Sequence, residues 1–186
     1  MSTARDQRGI TTVEVLIAVA MVGVVVSAVI PAYLRHVARA ADLEATTNLQ
    51  RIARLVTSYH EAHGSLPTAR CAGGVCWAAA QAPSAGPLQA CTDDGPGRFP
   101  AAASAEFEDP RLGWPLLGFR PGAEFRYHYA MVCYAYRARG EDHGHVQIRA
   151  SRYERCDPPA LLEHWLLLRL TGGRILTRGP IKDRQR

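Results

Sequence analysis

A chain of 186 residues has room for one membrane anchor and one domain of modest core, and excludes a large multidomain protein. Its 22 basic residues against 17 acidic ones give a formal charge of +5, which would suit a polyanion or an anionic lipid surface. Lys182 is the only lysine, however, so the excess reads as an arginine-rich compositional habit and nucleic acid is not expected as a partner.

The chain opens on a short polar leader, Met1 to Gly9, carrying Arg5 and Arg8. From Val15 to Leu34 there follow 20 consecutive residues without a charge. A helix of that length reaches roughly 30 Å, the hydrocarbon thickness of a bilayer. An ordinary secretory signal is cut after its apolar run, next to small residues. Here Ala18-Val19-Ala20 lies inside the run, a poor site, whereas cleavage after Gly9 leaves the whole helix on the mature chain. Arg5 and Arg8 hold the leader in the cytoplasm by the positive-inside rule, although Arg35 and Arg39 flank the far end. A simple signal anchor is the competing reading. Glu14 argues against it, because a carboxylate within a bilayer costs on the order of 3 kcal/mol and a plain anchor has no use for one. Glu14 therefore asks for a partner.

Gly23 and Pro31 weaken the helix. Pro31 has no N–H to give the carbonyl of Ser27, so that carbonyl needs the Ser27 hydroxyl or a neighbouring helix instead. Past Pro31 the pattern becomes amphipathic, with Leu34, Val37, Ala38, Ala41, Ala45, Leu49, Ile52, Val56 and Tyr59 recurring at spacings of three and four. Arg35, Arg39, Asp42, Glu44, Arg51 and Arg54 lie largely off that stripe, and one face is expected to pack on a globular domain. Gly64 and Pro67 end the helix near His63.

Residues 65–110 are rich in Gly, Pro, Ala and Ser and show little periodicity, which reads as a connection lying over the domain. Phe125, Tyr127, Tyr129, Met131 and Cys133 then alternate as in a half-buried strand, and Val146, Ile148 and Ala150 mark a second. Leu161–Leu170 and Arg174–Arg178 flank Thr171-Gly172-Gly173, a hairpin signal. Four antiparallel strands are expected.

Five cysteines cannot all pair within one chain. A hairpin turning near Gly140 to Gly144 makes Cys133–Cys156 the preferred bridge. Of Cys71, Cys76 and Cys91, two should pin the connection, most simply Cys71 with Cys76, which leaves Cys91 spare; a zinc site from these thiols is the alternative. Glu141, Asp142, His143 and His145 have the residue types of a metal site, but a turn around Gly140 and Gly144 explains them as solvated side chains. The Arg152–Pro159 loop, with Asp157, has too few carboxylates for calcium. Tyrosines up to Tyr136 could stack on bases or sugars, though sheet core is the plainer use. No catalytic constellation or phosphate loop can be placed, so no enzyme activity, metal or cofactor is expected.

Gly9, Ile10, Thr11, Val13, Glu14, Val15, Leu16 and Ile17, followed by Gly23, the Ile30-Pro31-Ala32-Tyr33 step and Arg35, resemble the prepilin signature of the type IV pilins and of the pseudopilins of type II secretion. Thr12 stands where an aliphatic residue is usual, and Ile10 replaces the more usual Phe. Trp114, Gly118-Phe119 and the Phe125-to-Tyr129 strand are more narrowly similar to pilin-like proteins of myxobacteria. The resemblance implies an α+β fold, a long N-terminal transmembrane helix packed on a small antiparallel β-sheet domain. It divides the chain into a leader (1–9), a transmembrane helix (10–34), its amphipathic half (35–63), a connecting region (64–123) and a sheet region (124–186). It implies cleavage by a prepilin peptidase between Gly9 and Ile10, N-methylation of Ile10, and pairing of Glu14 with the Ile10 amine of a neighbouring subunit. The stretch between Gly23 and Pro31 would lose helicity as subunits pack. The implied function is a structural subunit of a type IV pilus, anchored in a bacterial inner membrane with its domain in the periplasm and assembled into an extracellular or periplasmic filament. Its partners would be other pilin subunits and the assembly machinery. The alternatives are a type II secretion pseudopilin, or a pilin-like subunit that binds DNA or a surface.

Overall fold

Thr12 to His63 form one helix, α1, of 52 residues that runs through Pro31. The structure, a computed structural model, describes residues 11–68, 70–72, 75–84, 86–92, 95–110, 113–122, 124–138 and 141–185. The helix starts where the Thr11 hydroxyl accepts the backbone N–H of Glu14 at 3.3 Å, the N-cap geometry. It stops at Gly64, whose φ of 68° suits only a residue without a Cβ and whose N–H closes on the His60 carbonyl at 2.7 Å. The chain divides inside this helix into two units, Met1–Ala41 and Asp42–Arg186. The helix is long and apolar enough to cross a membrane.

In the second unit, Ala45, Leu49, Ile52, Ala53 and Val56 are buried along one face of α1. Burying Leu49, Ile52 and Val56 contributes about 2 kcal/mol each. They face an antiparallel sheet of six strands in the order β1-β2-β5-β6-β7-β8. The strands are β1 (Arg70–Ala72), β2 (Val75–Ala82), β5 (His128–Ala138), β6 (Glu141–Cys156), β7 (Pro159–Thr171) and β8 (Arg174–Gln185). A separate two-stranded ribbon pairs β3 (Cys91–Thr92) with β4 (Gly95–Pro96). The expected α+β architecture is present, with a long N-terminal helix and an antiparallel sheet.

Six strands replace the expected four because β1 and β2 arise inside the Gly/Pro-rich connection. In β2, Ala78, Ala80 and Ala82 are buried and sit opposite Cys133, Met131 and Tyr129. Ala79 between them is also small, and Gln81 alone gives the run a polar contrast, too little to mark a period of two. Elsewhere in the connection Phe99, Phe107, Trp114 and Phe119 join Phe125 and Tyr129 in one aromatic core cluster, with ring centroids 5.0–6.2 Å apart. The alternation read over Phe125 to Cys133 and Val146 to Ala150 is the burial pattern observed. At the β7–β8 turn, Thr171 pairs with Arg174. Gly172 and Gly173 carry φ values of 56° and 72°, the two-residue primed turn.

Gly144 is not a turn residue. It lies within β6, opposite Ala135 and Leu170, and a Cβ there would run into the Tyr134 carbonyl and come 2.6 Å from Leu66. Close packing requires this glycine. His143 and His145 are accordingly strand residues, paired across the ladder with Tyr136 and Tyr134. Residues 139–140, at the β5–β6 turn, lie outside the described residues.

The cysteines depart from expectation. Cys91 bonds Cys156, with Cα atoms 5.9 Å apart, and Cys133 is a free, buried thiol. Cys133 pairs in register with Val146. Because β6 continues for ten more residues to Cys156, the two thiols are roughly 30 Å apart along the sheet. The expected Cys133–Cys156 bridge assumed a much shorter strand. Cys91, expected to be spare, instead ties the β3–β4 ribbon to the far end of β6. Cys76 is disulfide-bonded and sits opposite Cys71 in the β1–β2 ladder; the Cys71 side chain lies outside the described residues.

Candidate functional site

The exposed apolar part of α1 is the candidate site. Val13, Leu16, Val19, Met21, Val22, Val24, Val29, Ile30 and Leu34 are each at least half exposed, on every side of the helix. A helix apolar all round is made for lipid or for other apolar helices. Glu14 sits two residues inside its start, exposed, and makes no ion pair among the described residues. It lies in the first turn, where the helix dipole favours a carboxylate.

A Cβ on Gly23 would meet nothing within 4 Å. Packing inside this chain therefore gives no reason for a glycine there. Around Pro31 the Ser27 hydroxyl donates to the Val24 carbonyl at 2.7 Å, so of the two expected partners for the freed carbonyl it is not the one engaged. Arg35 Nε donates to the Pro31 carbonyl at 3.1 Å. Gly9 and Ile10 lie outside the described residues.

A polar cluster in the second unit escaped sequence reading. Asp42 and Glu44 lie off the apolar stripe of α1, yet both engage the sheet region. Lys182 Nζ meets Asp42 Oδ2 at 2.5 Å, and His164 Nε2 lies 3.5 Å from Oδ1. Glu44 Oε1 accepts the Arg126 backbone N–H at 2.8 Å. Burial raises the Glu44 pKa, opposed by that hydrogen bond and by the Arg126 guanidinium. Arg152 Nε donates to the Tyr127 hydroxyl at 2.9 Å, and burial pushes the Tyr127 pKa up to about 12. Asn48 Nδ2 donates to the Tyr129 hydroxyl at 2.6 Å. The available signal was the pair of carboxylates set two apart at the start of the amphipathic half.

No three His, Cys, Asp or Glu side chains converge as a metal site among the described residues. Glu141 lies 4.0 Å from His143, while Asp142 turns to Arg137 at 3.6 Å.

No family model matches the chain, and no solved structure matches it. The chain is similar to a fimbrial protein of Neisseria meningitidis serogroup A / serotype 4A (strain DSM 15465 / Z2491), with 35% identity over 69 residues. The aligned stretch is 37% of this chain and spans 41% of that relative.

Proposed function

We propose that this chain is a structural subunit of a type IV pilus, polymerising through α1 after a prepilin peptidase removes residues 1–9 and Ile10 is N-methylated. The observation that carries the reading is an apolar helix surface exposed from Val13 to Leu34 with one carboxylate at its start. In the inner membrane lipid covers that surface; in the filament other subunits do. Glu14 then meets the charged amine of Ile10 on a neighbour, which resolves the cost of holding it in the bilayer. The likeness to a fimbrial protein supports the same reading. The open space at Gly23 and the carbonyl freed by Pro31 fit a segment that repacks when a second helix arrives.

The experiment is mass spectrometry of the protein extracted from membranes. A terminus at Ile10 carrying one methyl group is expected. An intact Met1, or a terminus beyond residue 20, overturns the processing on which assembly depends. The genes beside this one, encoding either a retraction motor or secretion components, distinguish a pilus from a secretion pseudopilus.

A further inference from the structure

The sheet has a second face, turned away from the buried stripe, and the ladder register lays out its rows. Tyr136 stands beside His143, with Arg174 opposite Thr171 on the same face. In the next row Tyr134, His145, Arg169 and Leu176 stand side by side across four strands. Then come Val132, Gln147, Leu167 and Arg178. Further along are His128, Ser151 and Glu163, all buried. The 3-10 helix Pro87–Ala90 and β4 lie against β6 and are tied to its end through Cys91–Cys156. The connection thus covers one half of this face and leaves the other open.

The open half has a specific chemistry. Tyr134 and Tyr136 are 42% and 45% exposed. Each already has a histidine ring beside it, Tyr136 stacked on His143 at 5.6 Å and Tyr134 tilted over His145 at 5.1 Å. The two tyrosines are two residues apart on one strand, roughly 6.7 Å. Beside them runs a groove of about 660 Å³ lined by Tyr136, His145, Gln147, Trp165, Leu167 and Arg169. Arg169, Arg174 and Arg178 make no ion pair among the described residues. Among the described residues, carboxylates stand at the margins, and Asp183 lies opposite Glu163 in the covered half. Glu141 and Asp142 are at the rim, and Glu163, in the covered half, meets Arg149 at 3.3 Å.

We propose that the open half of this sheet face binds single-stranded polynucleotide, with bases on Tyr134 and Tyr136 and phosphates along Arg169, Arg174 and Arg178. Three guanidiniums with no ion pair among the described residues, beside a groove whose lining side chains include no carboxylate, favour an anion. Exposed aromatic faces at the strand repeat favour one that carries flat rings, since every base has a face to stack. Composition alone could not show this, because it does not say where arginines gather.

The test uses full-length protein in detergent micelles and a fluorescein-labelled single-stranded 20-nucleotide DNA of mixed sequence, read by anisotropy. With three phosphates neutralised, log K should fall with log[salt] at a slope of about −2. Replacing Arg169, Arg174 and Arg178 together by Gln should flatten that slope and lower affinity at least tenfold. Tyr134→Leu with Tyr136→Leu should lower affinity about tenfold and leave the slope unchanged, while Arg54→Gln on α1 should change nothing. No binding at 50 mM salt overturns the proposal. So does displacement of the DNA by dextran sulfate together with indifference to the tyrosine pair, which makes the face a general polyanion surface. The wild-type slope and the competition need no variant to fold. Because unassembled protein is used, failure here leaves the assembly reading standing.

Discussion

The imidazole Nε2 of His164 lies 3.5 Å from Oδ1 of Asp42, and Lys182 holds the other carboxylate oxygen at 2.5 Å. The His164 side chain is 3% exposed and the Tyr127 ring meets it edge-on. Asp42 thereby couples α1 to both β7 and β8. The Lys182 contact is half in solvent and contributes little, whereas the Asp42 oxygen facing His164 is buried. Asp42→Ala should cost about 1–2 kcal/mol of stability, read as a lower thermal midpoint. It should also depress the His164 pKa further, because Asp42 is what raises it. An unchanged midpoint would show that the pair carries no stability.

Acid should loosen the second unit. Burial lowers the pKa of His164, and that of His128 to about 4, with Arg149 adding to the latter. A histidine whose folded pKa is depressed gives stability that is fully present above its unfolded value near 6.5 and is lost as pH falls toward the folded one. For His128 the shift corresponds to about 3 kcal/mol. Denaturant midpoints should therefore decline between pH 6.5 and 4, and His128→Gln should decline less steeply. A flat profile in the parent protein would contradict the burial argument.

Glu14→Ala should leave membrane insertion and the thermal midpoint unchanged while reducing sheared filament yield, with the Ile10 terminus verified. Removing a carboxylate eases insertion, so a loss must arise between subunits. Normal yield would refute the pairing of Glu14 with a neighbouring amine.

Non-reducing peptide mapping should recover Cys91 joined to Cys156 and Cys133 alone. The bridge spans a sequence separation of 65, worth roughly 4 kcal/mol in the chain-entropy model. Cys91→Ser should fall in stability by a comparable amount. Cys133, its thiol pushed up to about 12 by burial, should resist alkylation until the protein unfolds. Rapid labelling in the native state would place it elsewhere.

Two glycines should respond oppositely to alanine. Gly144→Ala forces a Cβ against Tyr134 and Leu66 and should cost at least 1–3 kcal/mol. Gly23→Ala meets open space and should leave the unassembled protein as stable or slightly more so. A filament defect in Gly23→Ala with an unchanged monomer would locate the need for glycine at a subunit contact.

What could be read from the sequence follows from how strongly each pattern contrasts with its surroundings. The apolar run, Gly64 as helix stop, the alternation from Phe125 to Cys133 and the Gly172-Gly173 turn each carry a sharp local signal. Strand β2 carries little beyond Gln81, because alternate alanines look alike whether buried or exposed. Pairing of Cys91 with Cys156 depends on β6 running 16 residues, and its mixed last five residues, Arg152 to Cys156, read as loop. The Asp42–His164 contact joins residues far apart in the chain, beyond the reach of local periodicity. The open sheet face needed the register of four strands before its tyrosines and arginines became neighbours.

The outer strand β8 has a consequence for how copies of this chain can meet. It presents Arg174, Arg178 and Lys182 to solvent, is broken by Gly179-Pro180, and slips register between Trp165 and Leu167. The opposite border, β1, is only three residues long. One border is interrupted by a proline and the other carries a strand of only three residues, so neither is a long regular edge. Borders of this kind disfavour the fusion of sheets from separate molecules into a cross-β stack. Copies are then left to meet through side-chain surfaces, and a joint between dissimilar patches gives a ring where its rotation closes and an open helical array where it does not.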